Sequence, residues 1–368
     1  SREYKALQQD PDMPLYNRAL QGQYPPGSSI KPIEGLAGIH YGIMGWDSSI
    51  YDPGYFSLPG DSHKFRDWKK SGHGNVNLHK SVVESVDTYY YKLSYQLGID
   101  RLHDWMTRFN FGSKTGIDLP GEKTGVYPST DWKMKTYKKA WLPGETISVS
   151  IGQGYFLATP LQIANGIAML AGDGQHLTPH LLKKSTGAEH VTPIEKPDGK
   201  IQYNGNPNDW QRMHLAMEDV VKKGTAHNIY TPTYRIAGKT GTAQVKSIAQ
   251  GKRYNEAALD SRHWDHGWFV GFAPVENPQI AIAVIVENGR HGGWVAPIVR
   301  KMMDYWLIDK IKKPIVPPSP EELVKINAEK QQLRLQRQEA ILSGKPIVSK
   351  PSLSKSTGAE LTAVGDAD

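Results

Sequence analysis

Tyr24-Pro25-Pro26-Gly27-Ser28-Ser29-Ile30-Lys31-Pro32 is the stretch on which the reading of this chain turns. Two prolines force an extended approach, and Gly27 permits a sharp turn. A helix is expected from Ser28. Pro32 fits its first turn, where a missing N–H costs nothing, and Ile33, Leu36, Ala37, Ile39 and Ile43 supply its apolar positions. At a spacing of three, Ser28 and Lys31 share a helix face. A serine hydroxyl attacks poorly until a neighbouring base takes its proton. To be that base, Lys31 must be partly neutral, which burial or a nearby cation favours. A helix start also favours developing negative charge. Ser352-Leu353-Ser354-Lys355 repeats the spacing, but in a polar tail without that setting.

Two further short patterns follow in order. Ser85-Val86-Asp87 lies in a helical stretch that continues into Tyr89, Tyr90 and Tyr91. Its chemical reading is a hydroxyl that relays a proton, beside a polar group that orients substrate; its bland reading is a surface Ser and Asp, as at Ser129-Thr130-Asp131. Lys239-Thr240-Gly241-Thr242 sits in an apolar strand between Ile236 and Val245. There a Lys can hold a substrate carboxylate, and Gly241 lets an extended peptide approach the strand edge. The backbone N–H groups of Thr242 and Ser28 are suited to an oxyanion hole. Lys-Thr-Gly also occurs at Lys114 and Lys123, in turn-rich surroundings.

Outward from these motifs, residues 1–27 are polar and turn-rich, and 44–76, rich in Gly, Asp, Trp and Pro, read as an elaborate loop. Helices are expected over about 79–97, 100–109, Pro160 to Leu170, Asp209 to Lys223 and Val295 to Leu307. Thr146 to Gly154 reads as a strand and turn. The β-branched runs Tyr234 to Val245, Trp268 to Ala273 and Gln279 to Val286 predict an antiparallel meander, with the last helix packed on it. The fold class is therefore α+β. Beyond about Asp309 the chain turns Pro-rich, then charged from Glu321 to Glu339 as a solvated helix, then polar and disordered from about Ser343.

At 368 residues, 38% hydrophobic and 22% charged, the chain is an ordinary globular protein in composition. No run approaches the ~18 apolar residues of a membrane span, and neither a signal peptide nor an initiator Met opens it, as in a processed or truncated protein. The absence of Cys excludes thiol nucleophiles and Cys-based zinc fingers, and leans weakly towards an oxidising compartment. A net charge of +7 suits an anionic surface or a carboxylate-rich substrate. Nucleic acid is not the expected partner, because the basic residues form neither a basic helix nor an aromatic-lined strand.

Ser-x-x-Lys, Ser-x-Asp/Asn and Lys-Thr-Gly, in this order, are the motif set of serine β-lactamases and penicillin-binding proteins. The chain resembles the class B, elongation-specific penicillin-binding proteins over about residues 4 to 307. The resemblance is carried by Tyr24 to Pro32, Arg66 to Gly74, Thr115 to Pro120, Ile151 to Pro160 and Gly238 to Val245. It implies the penicillin-binding/serine β-lactamase-like fold, an antiparallel sheet flanked by helices beside an all-helical subdomain. It divides the chain into a transpeptidase domain at 1–308 and a polar extension at 309–368, with a remnant of the pedestal linker at 1–20.

The resemblance also implies a peptidoglycan D,D-transpeptidase. Ser28 is acylated by the penultimate D-Ala of a stem peptide, with Lys31 as base; Ser85 passes protons, while Lys239, Thr240 and Thr242 hold the terminal carboxylate and Asp87 meets the substrate amide. β-Lactams are trapped at the same serine. The expected partners are stem peptides, a SEDS-family glycosyltransferase and an elongation scaffold, and the expected location is the periplasm, below an inner-membrane anchor that this chain lacks. No cofactor is needed for the chemistry. Some relatives hold a structural zinc by two Asp, one His and a Cys in the second motif. Asp52, Asp67 and His73 match the first three, but Val86 stands at the Cys position and cannot ligate. Either three ligands and water hold zinc weakly, or these residues cap loops. The rival functions are a D,D-carboxypeptidase or β-lactamase-type hydrolase, and a non-catalytic sensor or scaffold that has kept the fold.

Overall fold

The chain enters through two short helices, α1 (Arg2–Gln9) and α2 (Arg18–Gln21), the second capped by Asn17, whose side chain accepts from the Leu20 N–H. This computed structural model describes residues 2–182, 199–245 and 261–310, with positions 321, 325, 328 and 332 beyond them. Backbone proximity gathers Ser1–Ile311 into one unit and Lys312–Asp368 into a second. The helix expected over Glu321 to Glu339 and the tail from Ser343 lie outside the described residues, those four positions excepted.

Tyr24 bridges Ala158 in an antiparallel pair, and Gly27 takes φ +56°. The α-helix does not start at Ser28. Gly27–Ile30 forms a 3₁₀ turn, tightened by the Ser29 hydroxyl donating to the Pro26 carbonyl at 2.8 Å, and α3 (Lys31–His40) follows with Pro32 in its first turn. Lys31 through Gly38 are all buried, so α3 is a central rather than a surface helix.

The stretch expected as a loop holds two small antiparallel ladders. Strands β1 (Ser49–Asp52) and β4 (Gly74–Asn77) pair, as do β2 (Tyr55–Phe56) and β3 (Phe65–Arg66). The helix expected over 79–97 is two helices, α4 (Leu78–Val83) and α5 (Asp87–Leu97), interrupted where Ser85 takes φ +58°. Helices α6 (Ile99–Thr107) and α7 (Thr130–Tyr137) come next.

The strand expected from Thr146 is instead a helix, α8 (Pro143–Val149). Pro143 sits in its first turn, and the Glu145 carboxylate accepts from the Leu142 N–H at 2.8 Å. These start signals, with burial of Thr146, Ile147 and Val149, override the β-preference of that run. Helices α9 (Pro160–Ala171), opened by a Thr159/Gln162 capping box, and α10 (Asn208–Lys222) complete the helical half.

Strands β5 (Ala237–Ala243), β6 (His266–Ala273) and β7 (Ile280–Val286) form the expected antiparallel meander in the order β5-β6-β7, and α11 (Gly292–Asp304) follows. Side chains on β6 alternate between two helical layers. Phe272 meets His214 of α10 with ring centroids 4.9 Å apart, and Trp268 donates to the Pro25 carbonyl at 3.0 Å. Gly267, of opposite parity, lets α11 approach so closely that a Cβ there would lie 2.8 Å from Val295 Cγ2. The register pairs Lys239 with Val270 and Gly241 with Trp268, so both face the half that carries Ser28.

Candidate active site

The first motif offers two adjacent serines, and the 3₁₀ turn separates them. Ser29 is fully buried with its hydroxyl committed to Pro26, whereas Ser28 is half-exposed and its hydroxyl has no hydrogen-bond partner among the described residues. The third motif lies directly against this turn. A methyl group on Gly241 would sit 3.0 Å from the Pro26 carbonyl oxygen and 3.1 Å from the Ser29 nitrogen; one on Gly27 would sit 2.4 Å from the Thr242 oxygen. Only backbones without a Cβ can approach in this way. Gly152 supports the turn from behind, its carbonyl accepting from the Gly27 N–H at 3.0 Å, and Gln153 Nε2 donates to the Thr242 oxygen at 3.2 Å.

The second motif meets the first through Lys31. Its side chain is fully buried, and Nζ donates to the Ser85 carbonyl at 2.9 Å and to Asp87 Oδ1 at 2.6 Å, 5.2 Å from the Tyr90 ring centroid. The left-handed backbone of Ser85 breaks the helix and turns that carbonyl towards Lys31. Burial pushes the Asp87 carboxyl up, against the pull of Lys31. Lys239 is equally buried. Burial first, and then the charge of Lys31, hold its amine well below the ordinary lysine range, with Asp87 opposing. Segments far apart in sequence thus bring Lys31, Asp87 and Lys239 within electrostatic reach of one another, and set β5 against the turn that carries Ser28.

Thr240 and Thr242 alternate to the other face of β5, paired with Phe269 and Gly267. There the Thr240 hydroxyl shares a 2.7 Å hydrogen bond with the Thr225 hydroxyl. The turn carrying Thr225 wedges between the second and third motifs, since a Cβ on Gly224 would meet the Val83 carbonyl at 2.5 Å. Sequence reading missed Thr225, and a Gly-Thr pair after a helix carries no signal by itself. Glu34 was missed too. It lies one turn beyond Lys31 and is 1% exposed; it accepts only from the Tyr127 hydroxyl at 3.4 Å, and its Oε2 has no hydrogen-bond partner among the described residues. Burial holds this carboxyl well above its ordinary range, with Lys31 opposing. A charged residue among the apolar positions of α3 was its one visible sign.

Asp52, Asp67 and His73 are brought together and buried, with potential ligand atoms within 4.8 Å of one another. Their oxygens are already engaged. Asp52 accepts from the Gly54 N–H at 2.7 Å and from the His73 N–H and Nδ1 at 2.9 and 2.7 Å. Asp67 accepts from the Lys69, Asp87 and Thr88 N–H groups and the Thr88 hydroxyl, which caps α5. The unpartnered ring nitrogen, His73 Nε2, lies on the edge of the ring away from these carboxylates. With Val86 in place of a fourth ligand, the residues do not fit the closed four-ligand set of a structural zinc. They fit a hydrogen-bonded pillar under the second motif.

Comparison with known proteins identifies the family. Residues 1–304 match the family described as the penicillin binding protein transpeptidase domain. The chain is 60% identical over 316 residues to the peptidoglycan D,D-transpeptidase MrdA of Acinetobacter baumannii, covering 86% of this chain and 47% of that protein. It is 41% identical over 315 residues to MrdA of Escherichia coli K12, covering 84% of this chain and 49% of that protein. The chain thus spans about half the length of these curated relatives. Among solved structures, Pseudomonas aeruginosa PBP2 in complex with WCK 5153 matches at a TM-score of 0.75 and 44% identity, over 86% of this chain and 66% of that one. Helicobacter pylori PBP2 in complex with MreC matches at 0.70 and 34%, over 84% and 54%. With its three motifs gathered on an α+β framework of this kind, the chain belongs to the penicillin-binding protein transpeptidase family.

Proposed function

We propose that this chain is the catalytic part of a peptidoglycan D,D-transpeptidase of cell-wall elongation, with Ser28 as the acyl-carrying nucleophile. The observation that carries this reading is the convergence of three motifs around one unengaged hydroxyl. The Ser85 carbonyl and Asp87 hold the Lys31 side chain one helical turn from Ser28, where it acts as the base that takes the Ser28 proton. Ser28 Oγ attacks the carbonyl carbon of the penultimate D-Ala. The C–N bond to the terminal D-Ala then breaks, its amine taking up a proton through Ser85. An amine from a second stem attacks the ester, restores Ser28 and leaves an amide cross-link. The backbone N–H groups of Ser28 and Thr242 receive the oxyanion, and Lys239, at the β5 edge beside Thr240 and Thr242, attracts the terminal carboxylate.

In this reading the domain works in the periplasm as part of an inner-membrane protein; among the described residues no helix is long and apolar enough to cross a membrane. Partners in polymerisation and shape are inferred by likeness to the Helicobacter pylori PBP2–MreC complex and to a solved peptidoglycan synthase complex that is 31% identical over the matched region. Intact-mass analysis after benzylpenicillin tests the chemistry. One stable penicilloyl adduct is expected, and none on Ser28→Ala. No adduct on wild type, an undiminished adduct on the variant, or rapid turnover of intact penicillin rejects the reading.

A further inference from the structure

Between α6 and α9 the chain builds an aromatic cluster that the acyl-transfer chemistry does not use. Trp132 and Tyr137 of α7 and Tyr155 lie with ring centroids 5.3–5.6 Å apart, and Trp141 adds a fourth ring 6.1 Å from Tyr155. An ion pair between the buried Lys133 and the half-buried Glu145 sits at its centre, with the Lys133 ammonium 5.6 Å from the Trp141 ring and 5.9 Å from Tyr155. This pair and the α8 capping bond of Glu145 fix the rings from beneath, so the cluster is preorganised. It is not sealed: Tyr137 is 48% exposed and Trp132, Trp141 and Tyr155 are half-buried.

Two features say what covers it. The first is continuity with the reacting centre. Tyr155 follows Gln153 by two residues, at most about 7 Å of chain, and Gln153 holds the Thr242 oxygen while Gly152 backs Gly27. The second is charge. Residues 130–142 contain Lys133, Lys135, Lys138 and Lys139 against Asp131 alone. Lys133 is matched by Glu145, whereas Lys135, Lys138 and Lys139 are exposed along the rim. Flat rings beside exposed cations suit a ligand with a weakly polar ring face and carboxylates.

We propose that Trp132, Tyr137, Trp141 and Tyr155, with Lys135 and Lys139, form a docking subsite for the anionic glycopeptide part of the substrate, remote from the bond that reacts. An N-acetylhexosamine ring stacks on the exposed aromatic face, and stem-peptide carboxylates pair with the lysines. The subsite rests on the transpeptidase reading and adds a glycan requirement to it: binding energy collected here positions the scissile bond at Ser28.

Equilibrium binding in a Ser28→Ala background tests this without turnover, using a soluble disaccharide pentapeptide and the same pentapeptide without sugars. The first is expected to bind more tightly. Tyr137→Ala should weaken it about five- to tenfold, the loss of one stacked ring face, and leave the sugar-free peptide nearly unchanged. Lys135→Glu/Lys139→Glu should weaken both. Penicillin acylation of the same variants with Ser28 restored should stay within about twofold of wild type, because that small ligand does not reach the rim. Equal affinity for the two ligands, or variants that bind the disaccharide pentapeptide as the parent does, overturns the subsite and leaves the rim to a protein partner. Failure of wild type to form a penicilloyl adduct would instead overturn the reading of Ser28.

Discussion

Replacing Gly27 by Ala tests the contact that brings the third motif to the turn carrying Ser28, the proposed nucleophile. At φ +56° an L-residue costs roughly 1–2 kcal/mol before any neighbour is met. The new methyl would also lie 2.4, 2.9 and 3.1 Å from the O, C and N atoms of Thr242. These are backbone atoms of β5, so no side-chain rotation relieves the overlap; such overpacking costs roughly a further 1–3 kcal/mol. The melting temperature should therefore fall by on the order of 5–10 °C. Moving β5 by about 1 Å also displaces the Thr242 N–H from the Ser28 N–H with which it is proposed to receive the oxyanion, and misplacement on that scale costs roughly 10²-fold in rate, read as the second-order rate constant for acylation by benzylpenicillin. Gly42→Ala is the control. Gly42 has a similar φ of +64° but nothing within 4 Å of a built Cβ, so only the conformational cost applies and acylation is untouched. Wild-type acylation in Gly27→Ala, or equal losses in both variants, would refute the close approach of β5 to the turn.

Glu34 makes stability depend on pH. Because its folded-state pKa is raised, its contribution is fully present below the unfolded value and is lost as pH rises towards the folded one. Denaturant titrations should show wild type losing about 1.4 kcal/mol per pH unit in that window, and Glu34→Gln should flatten the slope; a parallel slope in the variant counts against a neutral Glu34. Thr225→Val should slow acylation by about 3- to 10-fold, with a stability loss of roughly 1 kcal/mol, measured by stopped-flow and thermal melts; an unchanged rate would show that the Thr240 hydroxyl needs no anchor. Chelator treatment should leave the melting temperature unchanged, whereas Asp67→Ala, which uncaps α5, should cost about 1–2 kcal/mol. A melting temperature that falls with chelator and recovers with zinc would contradict the hydrogen-bonded pillar.

What the sequence disclosed was whatever depends on short linear spacing. Ser28 and Lys31 are one turn apart, and the β-branched runs around Lys239 are dense enough to predict the meander and its register-bearing glycine. Contacts made by chain segments that meet only in the fold were not legible. Nothing near Asp87 says that Lys31 will bind its carboxylate, and nothing near Thr225 announces Thr240. The helix at Pro143–Val149 was misread because β-branched residues dominate the window, while the decisive signals, Pro143 and Glu145, sit at its edge. The break at Ser85 was hidden for a related reason. Its left-handed backbone is held by Lys31 from one side and by the Asp67 cap on α5 from the other, not by local preference.

Two buried amines share one carboxylate, and this imbalance has a calorimetric consequence. Burial and the charge of Lys31 disfavour the protonated form of Lys239, which gains a counter-charge when an anionic ligand settles at the β5 edge. Ligand entry is therefore coupled to proton uptake from solution. The apparent heat of binding will vary with the ionisation enthalpy of the buffer, and anion affinity will decline towards alkaline pH although every carboxylate on the ligand stays charged.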